Sequence, residues 1–496
     1  AHIAVVEGED TAPIQIETDR AKFIGRGRTI GDPAMVDAPL SGTIGTVLDP
    51  IFSIRRRVSI PPGGTTRVTF WTMIATSPEA LLDLVDRHRD SSAFARAATL
   101  AWTQMQVQLR HLGITHAEAA EFQALGGMVM RHDPRLRATP AQIAAGAAQQ
   151  STLWPWGISS DLPIVVLQID DVEDIAALHQ ALSVHEYWGM RQLSVDLVIL
   201  NDRSSSYVQD LQNTIESAVR AARSRPGSAN VHSPTRGSIY TLRTDLMNRE
   251  AKDHLIAAAR VVLLAGRGDI GNQLRGLGAT PIAAKARVYE IPAVSPAATA
   301  PAPSDLEFFN GIGGFADEGR EYVTVLGKGQ TTPAPWINVI ANPRFGFQVS
   351  AEGSGFVWSE NSRENQLTPW SNDQVTDPPG EVIYLHDLTS DQIWTPTALP
   401  IRGQGTYVAR HGFGYSTFLH TANDIESEMT QFVPLEGSVK LTRLTLHNTG
   451  PTRRTLNVTA YTEWTLGSSR SNTSEHIQTW KDPATGALLA KNTFTT

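Results

Sequence analysis

The sequence predicts a mixed fold: β-layers at both ends, with helices and a small parallel α/β segment between them. Three observations carry this. Strand-like patterning fills residues 1–75 and returns after residue 306. Residues 76–150 are rich in the helix formers Ala, Gln and Glu. Residues 151–285 alternate short apolar runs with helical faces. The expected order is the end of a first, partial β-sandwich over 1–75, a helical segment over 76–150 and an α/β unit over 151–285. A Pro/Ala linker over 286–306 and a second β-sandwich over 307–496 follow.

In the first stretch, Arg55–Ile60 leads into the turn cluster Pro61-Pro62-Gly63-Gly64. Arg67–Ala75 follows, apolar on both faces from Phe70 onward, as in a strand buried on two sides. Ser77 is placed to cap a helix with Pro78 at its first position, and Leu81, Leu84 and Val85 form one face. Asp90–Leu112 and Thr115–Met130 continue as helices. Pro163–Ile169, Ser194–Leu200 and Ser238–Leu242 read as strands. Helices marked by Ile175/Leu178/Leu182 and Val208/Leu211/Ile215/Val219 separate them, and a third helix is expected over Asn248–Ala265. Strands alternating with helices of this length imply a parallel layer. PAVSPAATAPAPS, residues 292–304, reads as an extended linker. Near the far end, Leu456, Val458, Ala460, Thr462 and Trp464 alternate with polar neighbours, as in a strand with one buried face.

The 496 residues suffice for about three domains of ~150. Net charge is −8, which disfavours nucleic acid as a partner. The absence of cysteine excludes disulfides and thiolate zinc sites and suits a reducing compartment. No apolar run approaches ~18 residues, so no membrane contact is expected from this chain. It opens on Ala1-His2-Ile3, without Met or a visible signal peptide, and reads as a piece of a longer polypeptide.

The densest chemistry lies at 344–396. Trp358, Trp370 and Trp394 offer flat faces on which a pyranose could stack. Asn361, Arg363, Glu364, Asn365, Gln366, Asn372 and Asp373 offer donors and acceptors. Apolar walls with a few placed polar groups are what small-ligand sites need. The plainer alternative is a turn-rich β domain whose tryptophans are core.

Several words here resemble the N-terminal β-sandwich of glycoside hydrolase family 94, the inverting disaccharide and oligoglucan phosphorylases. They are Asn361-Ser362-Arg363-Glu364-Asn365, Leu367–Asp373, Asp377-Pro378-Pro379-Gly380-Glu381, Arg410–Tyr415 and Tyr461–Gly467. Others resemble the C-terminal part of the cyclic β-1,2-glucan synthases: Pro39–Thr43, Leu48–Phe52, Trp154–Ser159 and Ser194–Asn201. The resemblance implies a supersandwich-like second sandwich and a carbohydrate-associated module of a synthase that makes cyclic β-1,2-glucan from UDP-glucose. It implies β-1,2-glucan or glucooligosaccharide and the other domains of that synthase as partners. The expected place is the cytoplasmic face of the bacterial inner membrane, as part of a larger membrane protein. The family's general acid and phosphate-binding residues lie in an (α/α)6 barrel that follows the sandwich, so no catalytic residue is carried over. The carried-over substrate-binding residues are Asn361, Arg363, Glu364, Trp370, Asn372 and Asp373. A purely structural Arg363–Glu364 pair is an equal alternative. The remaining alternatives are a scaffold, or an independent carbohydrate-active enzyme using the α/β unit.

Three further motifs are weighed against plainer readings. Gly266-Arg267-Gly268-Asp269-Ile270-Gly271 fits G-x-G-x-x-G, with Glu290 at a suitable distance. Leu255, Ala259 and Val262 continue a helical face instead, making Gly266 a helix-ending glycine. His185-Glu186 lacks the second histidine of a zinc helix, because position 189 is Gly. Asp161, Asp170, Asp171 and Asp202 are placed near the carboxyl ends of the strands, where capping is favoured over catalysis. No metal or cofactor is expected.

One prediction concerns the ends. If the strands of 1–75 lack partners, the isolated chain should associate or unfold easily, because open sheet edges pair with other chains. Light scattering and thermal melting check this; a monomer with one cooperative transition would count against it.

Overall fold

The computed structural model describes residues 1–10, 12–131, 133–203, 210–224, 237–278 and 305–494. They fall into two compact units: residues 1–97 with 305–474, and residues 98–278 with 475–494. The fold is mixed, as expected. The 292–304 linker, Val208 and Glu290 lie outside the described residues.

In the first unit, His2–Glu7 pairs antiparallel with Arg67–Thr72, and Gln15–Asp19 with Pro50–Arg55. The strand expected to be buried on both sides from Phe70 is not. It ends at Thr72, has one partner strand, and leaves Phe70 54% and Ile74 90% exposed. Apolar composition alone did not supply the second layer that burial needs. Helix Pro78–His88 starts as its sequence predicts, with the Ser77 hydroxyl accepting from Ala80 N at 3.2 Å and Pro78 in its first turn.

The rest of this unit is a β-sandwich. A six-stranded antiparallel sheet runs in the order Gly313–Ala316, Glu321–Leu326, Tyr407–Gly412, Tyr415–Ala422, Ile425–Phe432, Leu441–Asn448. A three-stranded sheet, Ile337–Ala341, Phe345–Ser350 and Gly355–Ser359, packs on it. Phe345, Phe347, Val349 and Val357 meet Ala409, Phe418 and Met429 in one core. A third sheet of Gln392–Trp394, Glu381–Asp387 and Leu456–Thr462 adds Leu385 and Trp394 against Ala422 and Ile425. Alternate burial along Tyr415–Ala422 and Ile425–Phe432 is the period-two signature of a sheet with one wet face. Leu456–Thr462 is the strand its alternation predicts, but the expected buried face is absent: Val458 is 52% exposed, and Trp464 beyond the strand is also open. The strand lies at a sheet edge, where alternation sets facing without supplying cover.

The second unit holds four parallel strands in the order Val261–Leu264, Ile164–Ile169, Asp196–Asn201, Ile239–Arg243. Helices Ile175–Met190, Asp210–Arg223 and His116–Arg131 cover one core, in which Phe122, Leu178 and Ile215 are buried. Helix Arg249–Ala258 and the segment around Leu153 and Ile158 fill another. The helix expected over 248–265 is therefore shorter. Asn248 caps it as its residue type favours, but it stops at Ala258, and Val261–Leu264 pairs in parallel with Val165–Gln168. Leu255, Ala259 and Val262 do keep helical spacing, but Val261-Val262 is β-branched and finds a strand partner, so pairing overrides periodicity. Among the described residues, no helix is long and apolar enough to cross a membrane.

Burial pushes His411 and His420 in the first unit, and His476 in the second, down to about 4. An unfolded chain protonates these side chains near 6.5. Between those values the unfolded state binds more protons, so stability is fully present above about 6.5 and falls as pH drops toward 4, on the order of 2 kcal/mol per histidine. Urea unfolding at pH 7 and 4.5 should show this loss, and His420→Gln should flatten the slope. An unchanged slope would remove His420 from the account.

Candidate functional site

The polar loop that leaves strand Gly355–Ser359 is anchored in its middle. Asn361 Oδ1 accepts from Arg363 N at 2.8 Å and Glu364 N at 3.1 Å, closing a tight exposed turn. Gln366 is buried and pairs through its backbone with Gly467, while its Oε1 accepts from Trp370 N at 3.3 Å. Thr368 Oγ1 accepts from Val357 N at 2.9 Å. Pro369 lies against Gly380 so closely that a Cβ there would sit 3.0 Å from its ring. This anchoring presents Trp370, 48% exposed, with its ring stacked on Phe356 at 5.4 Å and 19°.

Beyond Trp370 the chain turns through Asn372, which takes a left-handed φ of 47° that Asn tolerates. Asp373 then organises the loop. It accepts from Val375 N at 2.9 Å, Thr376 N at 3.0 Å and Thr376 Oγ1 at 2.6 Å. Arg20 of the first segment grips its two oxygens, each at 2.8 Å, and also reaches Asp49 at 2.8 Å. The Arg20 guanidinium holds the Asp373 carboxyl well below the usual carboxylate range. Asp377 N bonds to Asp373 O at 2.9 Å, and the Asp377 side chain turns inward, 7% exposed. Its Oδ2 accepts from Ser350 Oγ at 2.8 Å, and burial pushes the carboxyl up. Behind it, Glu352 is fully buried between Arg26, at 2.9 Å, and Arg402.

These elements enclose a cavity of about 280 Å³. Trp370, Pro335 and Ile337 supply apolar lining, and Gln348, Ser350, Asn372, Asp373 and Asp377 supply polar lining. Trp370, Asn372 and Asp373 thus line one cavity. Asn361, Arg363 and Glu364 are not among the lining residues; Arg363 Nε pairs with Glu364 at 3.1 Å in the outer turn, the structural alternative. Trp394 is buried in the core and is not a stacking face, and Trp358 turns its ring against Phe356 and Gly346. Polar lining residues that the sequence did not single out include Gln348, Ser350 and Asp377. Two polar positions at the end of the otherwise apolar strand Phe345–Ser350 were the available signal.

The α/β carboxylates do not converge. Asp171 accepts from Glu173 N at 3.1 Å as a cap, and Asp202 pairs with Lys252 at 2.7 Å. Asp161 precedes strand Ile164–Ile169, so it lies at the amino end rather than the carboxyl end expected for it. Among the described residues, no group of three His, Asp or Glu side chains could hold a metal ion. His185 Nε2 bonds with the Val195 carbonyl at 3.0 Å. The G-x-G-x-x-G word does follow a strand and open a helix, Ile270–Arg275. A Cβ on Gly271 would stand 2.1 Å from the Glu121 carboxylate, and Asp269 caps the same turn. Two carboxylates where a pyrophosphate would lie argue against a dinucleotide.

The chain is 42% identical over 508 aligned residues to the cyclic beta-(1,2)-glucan synthase NdvB of Rhizobium meliloti (strain 1021), covering 100% of this chain and 18% of that protein. It is 27% identical over 167 residues to an N,N'-diacetylchitobiose phosphorylase of Vibrio proteolyticus, covering 33% of this chain and 20% of that one. A solabiose phosphorylase of Paenibacillus borealis matches 32% of the chain at 27% identity, over 20% of its own length. The chain therefore spans about a fifth of the length of the curated relatives it matches. The model of the glycosyl hydrolase 94 supersandwich domain matches residues 1–91 and 320–496, on either side of the parallel sheet. Matched over more than half its length by that one model, the chain belongs to the glycosyl hydrolase 94 supersandwich family.

Proposed function

We propose that this chain is a carbohydrate-associated module of a cyclic β-1,2-glucan synthase, acting at the cytoplasmic face of the inner membrane beside a phosphorylase-like barrel of the same polypeptide. Residues 1–97 and 305–474 act together as its supersandwich. Its ligand is a β-1,2-glucan segment, held in the cavity beside Trp370. The observation that carries this is the half-exposed indole, stacked on Phe356, at a cavity whose other lining is mostly polar. A pyranose stacks its C–H face on such a ring and spends its hydroxyls on polar neighbours. In this reading Trp370 and Asn372 touch the sugar. Asp373 positions the loop through Arg20, and Asn361, Arg363 and Glu364 form an outer rim for a longer glycan. Family resemblance to synthases and phosphorylases of sugars supports the substrate class.

A second reading is a scaffold, favoured by the open apolar side chains Leu441, Val458 and Tyr461 on two edge strands. Calorimetric titration of the chain with β-1,2-glucooligosaccharides separates the two. Binding is expected, with a loss of at least tenfold in Trp370→Ala, and about 1–3 kcal/mol is a reasonable scale for losing an aromatic stacking face. Arg20→Ala should weaken binding less and loosen the loop. No binding by the unsubstituted chain would leave the scaffold reading standing, and a Trp370→Ala protein that melts normally yet binds as before would remove this cavity from the account.

A further inference from the structure

The cavity beside Trp370 has a floor that no family word singled out as sugar-binding, and its charge is unusual. Among the described residues its lining includes two carboxyl groups, Asp373 and Asp377, and no Lys, Arg or His. The two are not equivalent. Asp373 is spent: both oxygens are gripped by Arg20 and the same carboxyl caps the 375–376 turn. Asp377 is not held this way. Its nearest cation, Arg26, stands at 3.6 Å and is bonded more closely to Glu352 at 2.9 Å. Its hydroxyl partners include Ser350 and Ser354, both of which line the cavity. Its backbone takes a left-handed φ of 46°, a conformation a non-glycine residue holds only where surrounding structure enforces it, and Asp is one of the few residues that tolerates it. Here the bond from Asp377 N to the Asp373 carbonyl closes the turn that holds it.

We propose that Asp377, with Ser350 and Gln348, reads the hydroxyls of the sugar stacked on Trp370, and that the site takes neutral pyranoses and rejects phosphorylated or carboxylated ones. This deepens the proposed function and rests on it. The chemistry is that of a recessed acceptor beside an apolar ring face: a carboxyl oxygen and an amide bind vicinal hydroxyls well. An anion brought to the same place finds no Lys, Arg or His among the described lining residues to receive it, in a recess where charges are poorly screened. The ligand is therefore a glycan segment, not a sugar phosphate.

The test is titration of the full chain with the β-1,2-linked glucose disaccharide and, separately, with glucose 1-phosphate. Four proteins are compared: unsubstituted, Trp370→Ala, Asp377→Asn and Gln348→Ala. Asp377→Asn keeps the shape and tolerates the same backbone, while Gln348→Ala keeps the test decisive if the first variant misfolds. The expected result is disaccharide binding lost tenfold or more in each variant with the melting transition retained, and glucose 1-phosphate binding at least tenfold weaker than the disaccharide. If Trp370→Ala abolishes binding but Asp377→Asn and Gln348→Ala bind as the unsubstituted chain does, the floor assignment falls and the sugar site stands. Tighter binding of glucose 1-phosphate overturns the neutral-ligand assignment. If no protein binds the disaccharide, or Trp370→Ala binds it fully, both this inference and the function beneath it fail.

Discussion

Everything around the cavity depends on one buried carboxylate. Glu352 has no solvent contact, and its charge is balanced by Arg26 from near the start of the chain and Arg402 from beyond the site loop. A buried ion pair seldom adds net stability, because desolvation offsets attraction, but removing one partner leaves a charge stranded at a cost of about 3–5 kcal/mol. The cluster therefore acts as a constraint. Arg26 must come to Glu352, and once there it also donates to Val375 O at 3.0 Å and Thr332 O at 3.1 Å. Gly27 N adds a second bond to Val375 O at 3.0 Å. The loop holding Asn372 and Asp373 is thus fixed from its far side by residues 26 and 27, and the cavity takes its shape from both segments of the unit.

Much of this was legible where chemistry is local. Ser77 and Asn248 cap helices, as their residue types favour, and the Asn361 turn forms in an unbroken polar run. The exposed position of Trp370 follows from its place between Pro369 and Ser371, within turn chemistry. The parallel sheet was legible in three of its strands, because each is a short, mostly apolar run followed by a helical pattern. The fourth was not. Val261–Leu264 carries four apolar residues, too few for periodicity to separate a strand from the end of a helix.

The site was legible in its loop and not in its floor. Trp358, Trp370 and Trp394 are equivalent as letters, and the fold buries one, half-buries another and presents the third. Arg363 and Asp373 both looked like sugar ligands. One closes an exposed turn, while the other is claimed by Arg20, a residue 353 positions away that no local pattern could pair with it. Gln348 and Ser350 sit on a strand whose other residues are core, so their common facing toward a cavity emerges only when the sheet and the loop are assembled.

The Arg20–Asp373 contact has a consequence for how such proteins diversify. Two ends of a salt bridge so distant in the gene are easily parted by recombination, and a chimera joining the first segment of one homologue to the later segment of another inherits only half of it. Positions 20, 49 and 373 should therefore change together or not at all across the family, and crossovers that respect the α/β segment as a cassette, while keeping residues 1–97 and 305–474 of common descent, should be the ones that survive.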